Sequence, residues 1–147
     1  MYSRSLEVNE KELQGLVKQI PEYRNWDTRD IKHGAHSKIV YFGEPARKVG
    51  GSFYGIAGQF GSTVVAHIRV FGVYAGFRHK GLGTEFLSKL EHELVARHKV
   101  DVIEGMAFLP VEGGAGGRRL LAKFNYDLSG PVPRKELRST SSLPSSA

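Results

Sequence analysis

The chain has 147 residues and a mass of 16.3 kDa, the size of one ordinary domain, and its 40% hydrophobic and 24% charged residues exclude a disordered or collagen-like chain. Twenty-one Lys and Arg against fifteen Asp and Glu leave a formal charge of +6, which favours anionic ligands over cationic ones. Without cysteine there is no disulfide framework, thiolate zinc site or cysteine nucleophile, and without an apolar N-terminal segment or a run of ~18 apolar residues neither a secretion signal nor a membrane span is expected. The expected location is cytoplasmic.

A first strand is expected over residues 3–8. Asn9 followed by Glu12 has capping-box spacing, and Leu13, Leu16, Val17 and Ile20 then repeat at helical intervals until Pro21. A second helix is expected over 23–33, anchored by Trp26 and Ile31 and stopped at Gly34. Three runs rich in β-branched and aromatic residues follow at 38–42, 52–60 and 63–74. Gly50-Gly51 and Gly61-Ser62 read as the turns between them, which makes an antiparallel meander.

From Gly83 the period changes to 3.6. Leu82, Phe86, Leu87, Leu90 and Leu94 form an apolar stripe, while Glu85, Lys89, Glu91 and Glu93 read as a solvated face. Arg97-His98-Lys99 place positive charge at the last turn, where the helix dipole favours it. A strand is expected over 100–108, then the glycine-rich loop 112–117, then a short helix through Leu120, Leu121 and Phe124. From Ser129 to Ala147 nine of nineteen residues are Ser or Pro, so one short strand at most is expected there, followed by a mobile tail. The order implies an α/β (α+β) domain over 1–128, with a mixed, mostly antiparallel sheet flanked by helices, and a strand remnant and tail over 129–147.

Chemistry concentrates in Val73-Tyr74-Ala75-Gly76-Phe77-Arg78-His79-Lys80-Gly81-Leu82-Gly83-Thr84, where a strand passes through a glycine turn into the amphipathic helix. Backbone N–H groups at a helix start can surround a diphosphate when no side chain blocks the approach, and Gly81 and Gly83 remove that obstruction. Arg78 and Lys80 add cations at the rim. A plain cap and turn is the competing reading of such a glycine pair. The Gly-Lys-Ser/Thr ending of a triphosphate loop and the third glycine of a dinucleotide fingerprint are both missing.

Arg78-His79-Lys80-Gly81-Leu82-Gly83 resembles the coenzyme A loop of the GNAT superfamily of N-acetyltransferases, which reads Arg/Gln, two residues, Gly, one residue, Gly/Ala. The lead-in Val73 to Phe77 is similar to that family's, with Ala75 where proline is common. Leu120 to Tyr126 is similar to its helix ending before a Gly-Phe pair. The order of elements agrees from about Leu6 to Leu128. The resemblance implies acetyl-CoA as cofactor. Val73 and Tyr74 would face the pantetheine and thioester, and Arg78 with the amides of His79, Lys80, Gly81, Leu82, Gly83 and Thr84 would hold the pyrophosphate. The implied activity is transfer of an acetyl group to a primary amine of a small molecule or protein.

Such a transfer needs a base for the acceptor ammonium, a donor for the oxyanion and an acid for the thiolate. Many members of that family carry a Glu on the strand before the loop; the matching position here is His67, a competent base near neutral pH. A hydrogen-bonded core histidine or a plain substrate contact is the alternative. Strict alternation puts Val65, His67, Arg69, Phe71 and Val73 on one face and Val64, Ala66, Ile68, Val70 and Gly72 on the other. Arg69 suits orienting a carboxylate of substrate or protein. The Val73 N–H is the implied oxyanion donor, with Gly72 permitting a bulge that aims it; an ordinary edge residue is the alternative. Where the family often has a Tyr acid the chain has Leu121, and Gly114 and Gly117 replace its Asn and Ala. Either the thiolate leaves unprotonated, or Tyr74 or Tyr126 serves, or the protein binds coenzyme A with little turnover.

The remaining histidines show no metal-ligand spacing, so no metal is expected. Arg118, Arg119 and Lys123 read either as contacts to coenzyme A phosphates or as a solvated helix face. Arg47-Lys48 and Arg134-Lys135 add to the basic balance but sit in no recognisable nucleic-acid module, and neither nucleic acid nor membrane is an expected partner. The short C-terminus leaves an open acceptor site or one completed by a second subunit, so a homodimer is expected. The alternative to an enzyme is a catalytically weak protein of the same fold that acts by binding a protein partner, as a regulator or host-directed effector.

Overall fold

The computed structural model describes residues 2–7, 10–20, 23, 37–44, 46–58, 63–77, 81–105 and 114–137. Elements follow in the order β1 (Tyr2–Glu7), α1 (Glu10–Gln19), β2 (Ser37–Glu44), β3 (Arg47–Gly58), β4 (Val64–Val73), α2 (Leu82–His98), β5 (Val102–Gly105), α3 (Gly114–Lys123) and β6 (Arg134–Glu136). All six strands form one sheet in sequence order. β1 to β4 are antiparallel, β4 and β5 parallel, and β5 and β6 antiparallel. A parallel step needs a long crossover, and α2 supplies it. The sheet is therefore mixed and mostly antiparallel with helices on both faces, as the order of sequence patterns implies.

Each face is closed by the helical stripe that its spacing predicts. Leu13, Leu16 and Val17 of α1, with Ile20 just past its end, are buried against Ile39, Phe53 and Val70. On the opposite face Phe86, Leu90 and Leu94 of α2 and Leu121 of α3 are buried against Phe42, Ile68 and Ile103. Phe86 lies at the centre of that layer, stacked at 4.8 Å on Phe42 and 4.7 Å on Phe71. Gly72 lets α1 approach: a Cβ there would stand 2.5 Å from Ile20 Cγ2. Asp101 ties three strands together. Its Oδ2 accepts from the Val64 N–H at 2.8 Å, and its carbonyl accepts from the Leu137 N–H at 2.8 Å.

Several expectations change. Gly50 and Gly51 do not turn the chain; they lie inside β3, paired with Val73 and Gly72, and the reversal falls between Glu44 and Arg47. The glycine-rich loop is shorter than expected because Gly114 to Gly117 already belong to α3. Glu91 is not on a solvated face: its side chain is 13% exposed and bound to Lys135 and Tyr126. One strand, β6, does follow Tyr126, and Asp127 bridges to Arg134 beside it. Because β6 pairs with β5, the sheet extends past the boundary drawn at residue 128. The expected helix 23–33 apart from Tyr23, the Asn9 cap, the Gly61-Ser62 turn, residues 106–108 and the tail 138–147 lie outside the described residues. No described helix is long and apolar enough to cross a membrane.

Candidate functional site

β4 is regular up to Ile68 and then takes one extra residue. Its register with β3 pairs Tyr54 with Ile68 but Phe53 with Val70, so Arg69 has no partner across the ladder. An inserted residue reverses the alternation beyond it. Ala66 and Ile68 face α2, Val70 faces α1, and Phe71 faces α2 again. The faces read from strict alternation therefore hold only as far as Ile68. Phe71 leaves the face of His67, and Val70 and Gly72 join it. The bulge sits at Arg69, not at Gly72.

Among the described residues β4 pairs with β5 from Val65 and Val102 to Ile68 and Gly105. Within that ladder His67 is the register partner of Glu104. His67 Nδ1 stands 3.6 Å from Glu104 Oε1, with the two side chains 45% and 27% exposed. The other carboxylate oxygen, Oε2, accepts from Arg134 Nη1 at 2.6 Å. Three strands thus set Arg134, Glu104 and His67 in a row. With Nδ1 turned toward Glu104, Nε2 is the ring nitrogen left to meet a substrate. The guanidinium on the far side orients the carboxylate.

At the far end of β4 the backbone turns its donor toward the β5 side. The Tyr74 N–H donates to the Val49 carbonyl at 2.8 Å, which makes that the hydrogen-bonded pair. The next pair, Gly50 and Val73, is then of the other type, and the Val73 N–H points away from β3. A single 3-10 turn, Ala75–Phe77, follows, and Arg47 lies 5.1 Å over the Phe77 ring. α2 starts from Gly81 at φ 75°, a left-handed conformation that glycine adopts without strain, and no side chain caps this end. A Cβ on Gly81 would meet nothing within 4 Å. The N–H groups of Leu82, Gly83 and Thr84 therefore open a 17-residue helix with no side-chain acceptor over them among the described residues.

Arg78, His79 and Lys80 lie outside the described residues. Tyr126 is held elsewhere. Its hydroxyl donates to Glu91 Oε2 at 2.8 Å, nine residues and roughly 13 Å along α2 from Leu82. Burial, and then the Glu91 carboxylate, push its phenol far above the usual range. This is a packing role, remote from the α2 start. Leu121 is fully buried. Tyr74 packs on the α1 side, where burial and the Glu12 carboxylate push its phenol up to about 12, so it stays protonated at neutral pH. Arg119 and Lys123 are exposed. Glu104 was not among the residues singled out from sequence, although it is the single charge of the run Val102 to Phe108. Among the described residues no group of His, Asp and Glu could hold a metal ion.

No family model matches the sequence, and no curated protein matches it with significance. Solved structures share its architecture. An aminoglycoside acetyltransferase from an uncultured soil metagenomic sample is 20% identical, with 84% of this chain and 89% of that one covered at a TM-score of 0.60. A GNAT family acetyltransferase from Elizabethkingia anophelis, solved with acetyl-CoA bound, is 10% identical over 92% of this chain and 97% of its own, at 0.63. A ribosomal-protein-alanine N-acetyltransferase from Brucella melitensis biovar Abortus 2308 is 13% identical over 84% and 91%, at 0.58. At such identities what is shared is the fold.

Proposed function

We propose that this chain, which has the fold of the GNAT acetyltransferases, binds acetyl-CoA and transfers its acetyl group to an amine. The observation that carries this reading is the uncapped glycine start of α2 that follows β4, with His67 and Glu104 side by side on the β4–β5 rungs that precede it. The residues fit the cofactor. Gly81, Leu82, Gly83 and Thr84 offer backbone donors and open space to a diphosphate, joined in sequence by Arg78, His79 and Lys80. The resemblance places the thioester arm beside Val73 and Tyr74, where the Tyr74 N–H and carbonyl are already engaged by Val49 and Phe77. Bound acetyl-CoA would supply an activated acetyl group, the amide forming as the carbon–sulfur bond breaks with its electron pair on sulfur.

The protein's own part is proton handling and orientation. His67 Nε2 takes a proton from the acceptor ammonium, directly or through one water, leaving the nitrogen lone pair free to attack. Glu104 stands on the Nδ1 side of the ring, and Arg134 anchors Glu104. The resemblance gives the negative charge that develops on the carbonyl oxygen to the backbone at Val73. No side chain is assigned as acid for the thiolate.

A screen of amines, reading free thiol from acetyl-CoA, tests this. The parent should release thiol in an acceptor-dependent way, His67→Ala should lose about 10²–10⁴-fold in kcat, and Glu104→Gln at least about tenfold, each with the fold intact by circular dichroism. Full activity in His67→Ala would refute the base. The second reading, a protein that works by binding a partner, draws on the buried Leu121 and the engaged Tyr126, which leave α3 and the residues after it without an acid. It predicts acetyl-CoA binding without turnover on any amine.

A further inference from the structure

Arg69 is the one residue that the β4 bulge adds, and nothing among the described residues accounts for its charge. It is exposed although it sits on a strand that has neighbours on both sides. Among the described residues it has no ion pair or hydrogen bond, whereas Arg97, Arg134 and Lys135 each hold a carboxylate. Its natural competitor, Glu104, is engaged by Arg134 at 2.6 Å. The insertion also decides where the side chain goes. Ile68 faces α2 and Val70 faces α1, and the two residues of such a bulge that oppose one partner, here Arg69 and Val70 against Phe53, share its face. Arg69 thus stands on the face of His67, two residues and roughly 7 Å further along β4. It follows Ile68, which pairs with Gly105 of β5.

We propose that Arg69 binds a carboxylate of the acceptor, so that the substrate class is an amine that carries a carboxylate, as an amino acid does. The site then presents two opposite charges at a spacing of one short zwitterion. The ammonium meets His67 and Glu104, and the carboxylate meets a planar guanidinium whose paired donors match its two oxygens. A bulge gives up ladder hydrogen bonds to re-aim a side chain, and at this position the side chain re-aimed is an arginine with no partner among the described residues. This inference rests on the acetyl-transfer reading and narrows it.

The test compares each protein amino acid as its free acid and as its carboxamide, with thiol release from acetyl-CoA as the readout and acetyl-CoA binding measured separately by calorimetry. The expected result is a kcat/KM about tenfold or more higher for the acid than for the amide of the preferred side chain. Arg69→Gln should abolish that preference by raising KM about tenfold or more at nearly constant kcat, and Arg69→Lys should restore part of it. Calorimetry of the free acid with coenzyme A present should show the same loss in Arg69→Gln, with acetyl-CoA affinity unchanged. Equal use of acid and amide, an unchanged KM in Arg69→Gln, or a parent that binds acetyl-CoA yet acetylates none of these acids would overturn the inference and leave acetyl transfer standing. A parent that binds no acetyl-CoA would remove the reading beneath both.

Discussion

Glu91 receives the Tyr126 hydroxyl on one oxygen at 2.8 Å and Lys135 Nζ on the other at 2.7 Å, and the lysine lies 5.5 Å from the Tyr126 ring centroid. Burial first, and then the Glu91 carboxylate, push the Tyr126 phenol up and keep it protonated, which suits a packing role. Tyr126→Phe should cost about 1–2 kcal/mol in urea denaturation, since the hydrogen bond it removes is to a charged group, and should leave kcat within about twofold of the parent. A variant of unchanged stability with kcat down a hundredfold would restore Tyr126 as the acid. Its residue type suited that role from sequence, but the contact with Glu91 joins positions 35 apart and no local pattern announces it. The same holds for Glu104, 104 − 67 = 37 residues from His67 and made its neighbour only by strand register.

At the scale of elements, local periodicity was informative wherever one face is plainly buried. The α1 and α2 stripes, the three antiparallel strands and a single strand after Tyr126 all stand close to where the apolar spacing puts them. What failed was continuity. Alternation along β4 carries no mark of an inserted residue, so His67 and Val73 seemed to share a face that the bulge at Arg69 divides. Gly50 and Gly51 looked like a turn because glycine breaks strands in isolation, but here both are buried inside β3, where α1 and the neighbouring strands crowd them. Gly72 belongs to the same packing. Gly72→Ala should destabilise the protein by about 1–3 kcal/mol, because its Cβ would stand 2.5 Å from the Ile20 side chain and α1 must shift. Unchanged stability in denaturant melts would show that α1 sits on the sheet more loosely than described.

Across the whole molecule the strand order and the charge distribution work together. The chain carries a net +6, yet several of its cations are committed internally: Arg134 to Glu104 and Lys135 to Glu91. That pair looked like a basic patch in sequence and is instead part of the support for the proposed site and core. The cofactor loop was the portion of the site most legible in sequence, because it is local, a strand, a glycine turn and a helix within twelve residues. The acceptor side was the least legible, because it is assembled by register among β4, β5 and β6.

The central claim is that the start of α2 holds coenzyme A, and calorimetric titration with acetyl-CoA tests it most directly. Gly83→Glu is the matched control: a Cβ there makes ordinary contacts, 3.6 Å to Leu120 and 3.9 Å to Val73, so the variant should fold as the parent does, while its carboxylate repels a diphosphate. Saturable heat in the parent, absent in Gly83→Glu at equal helicity and melting temperature, is the predicted result. No binding by the parent, or equal binding by both proteins, would contradict it.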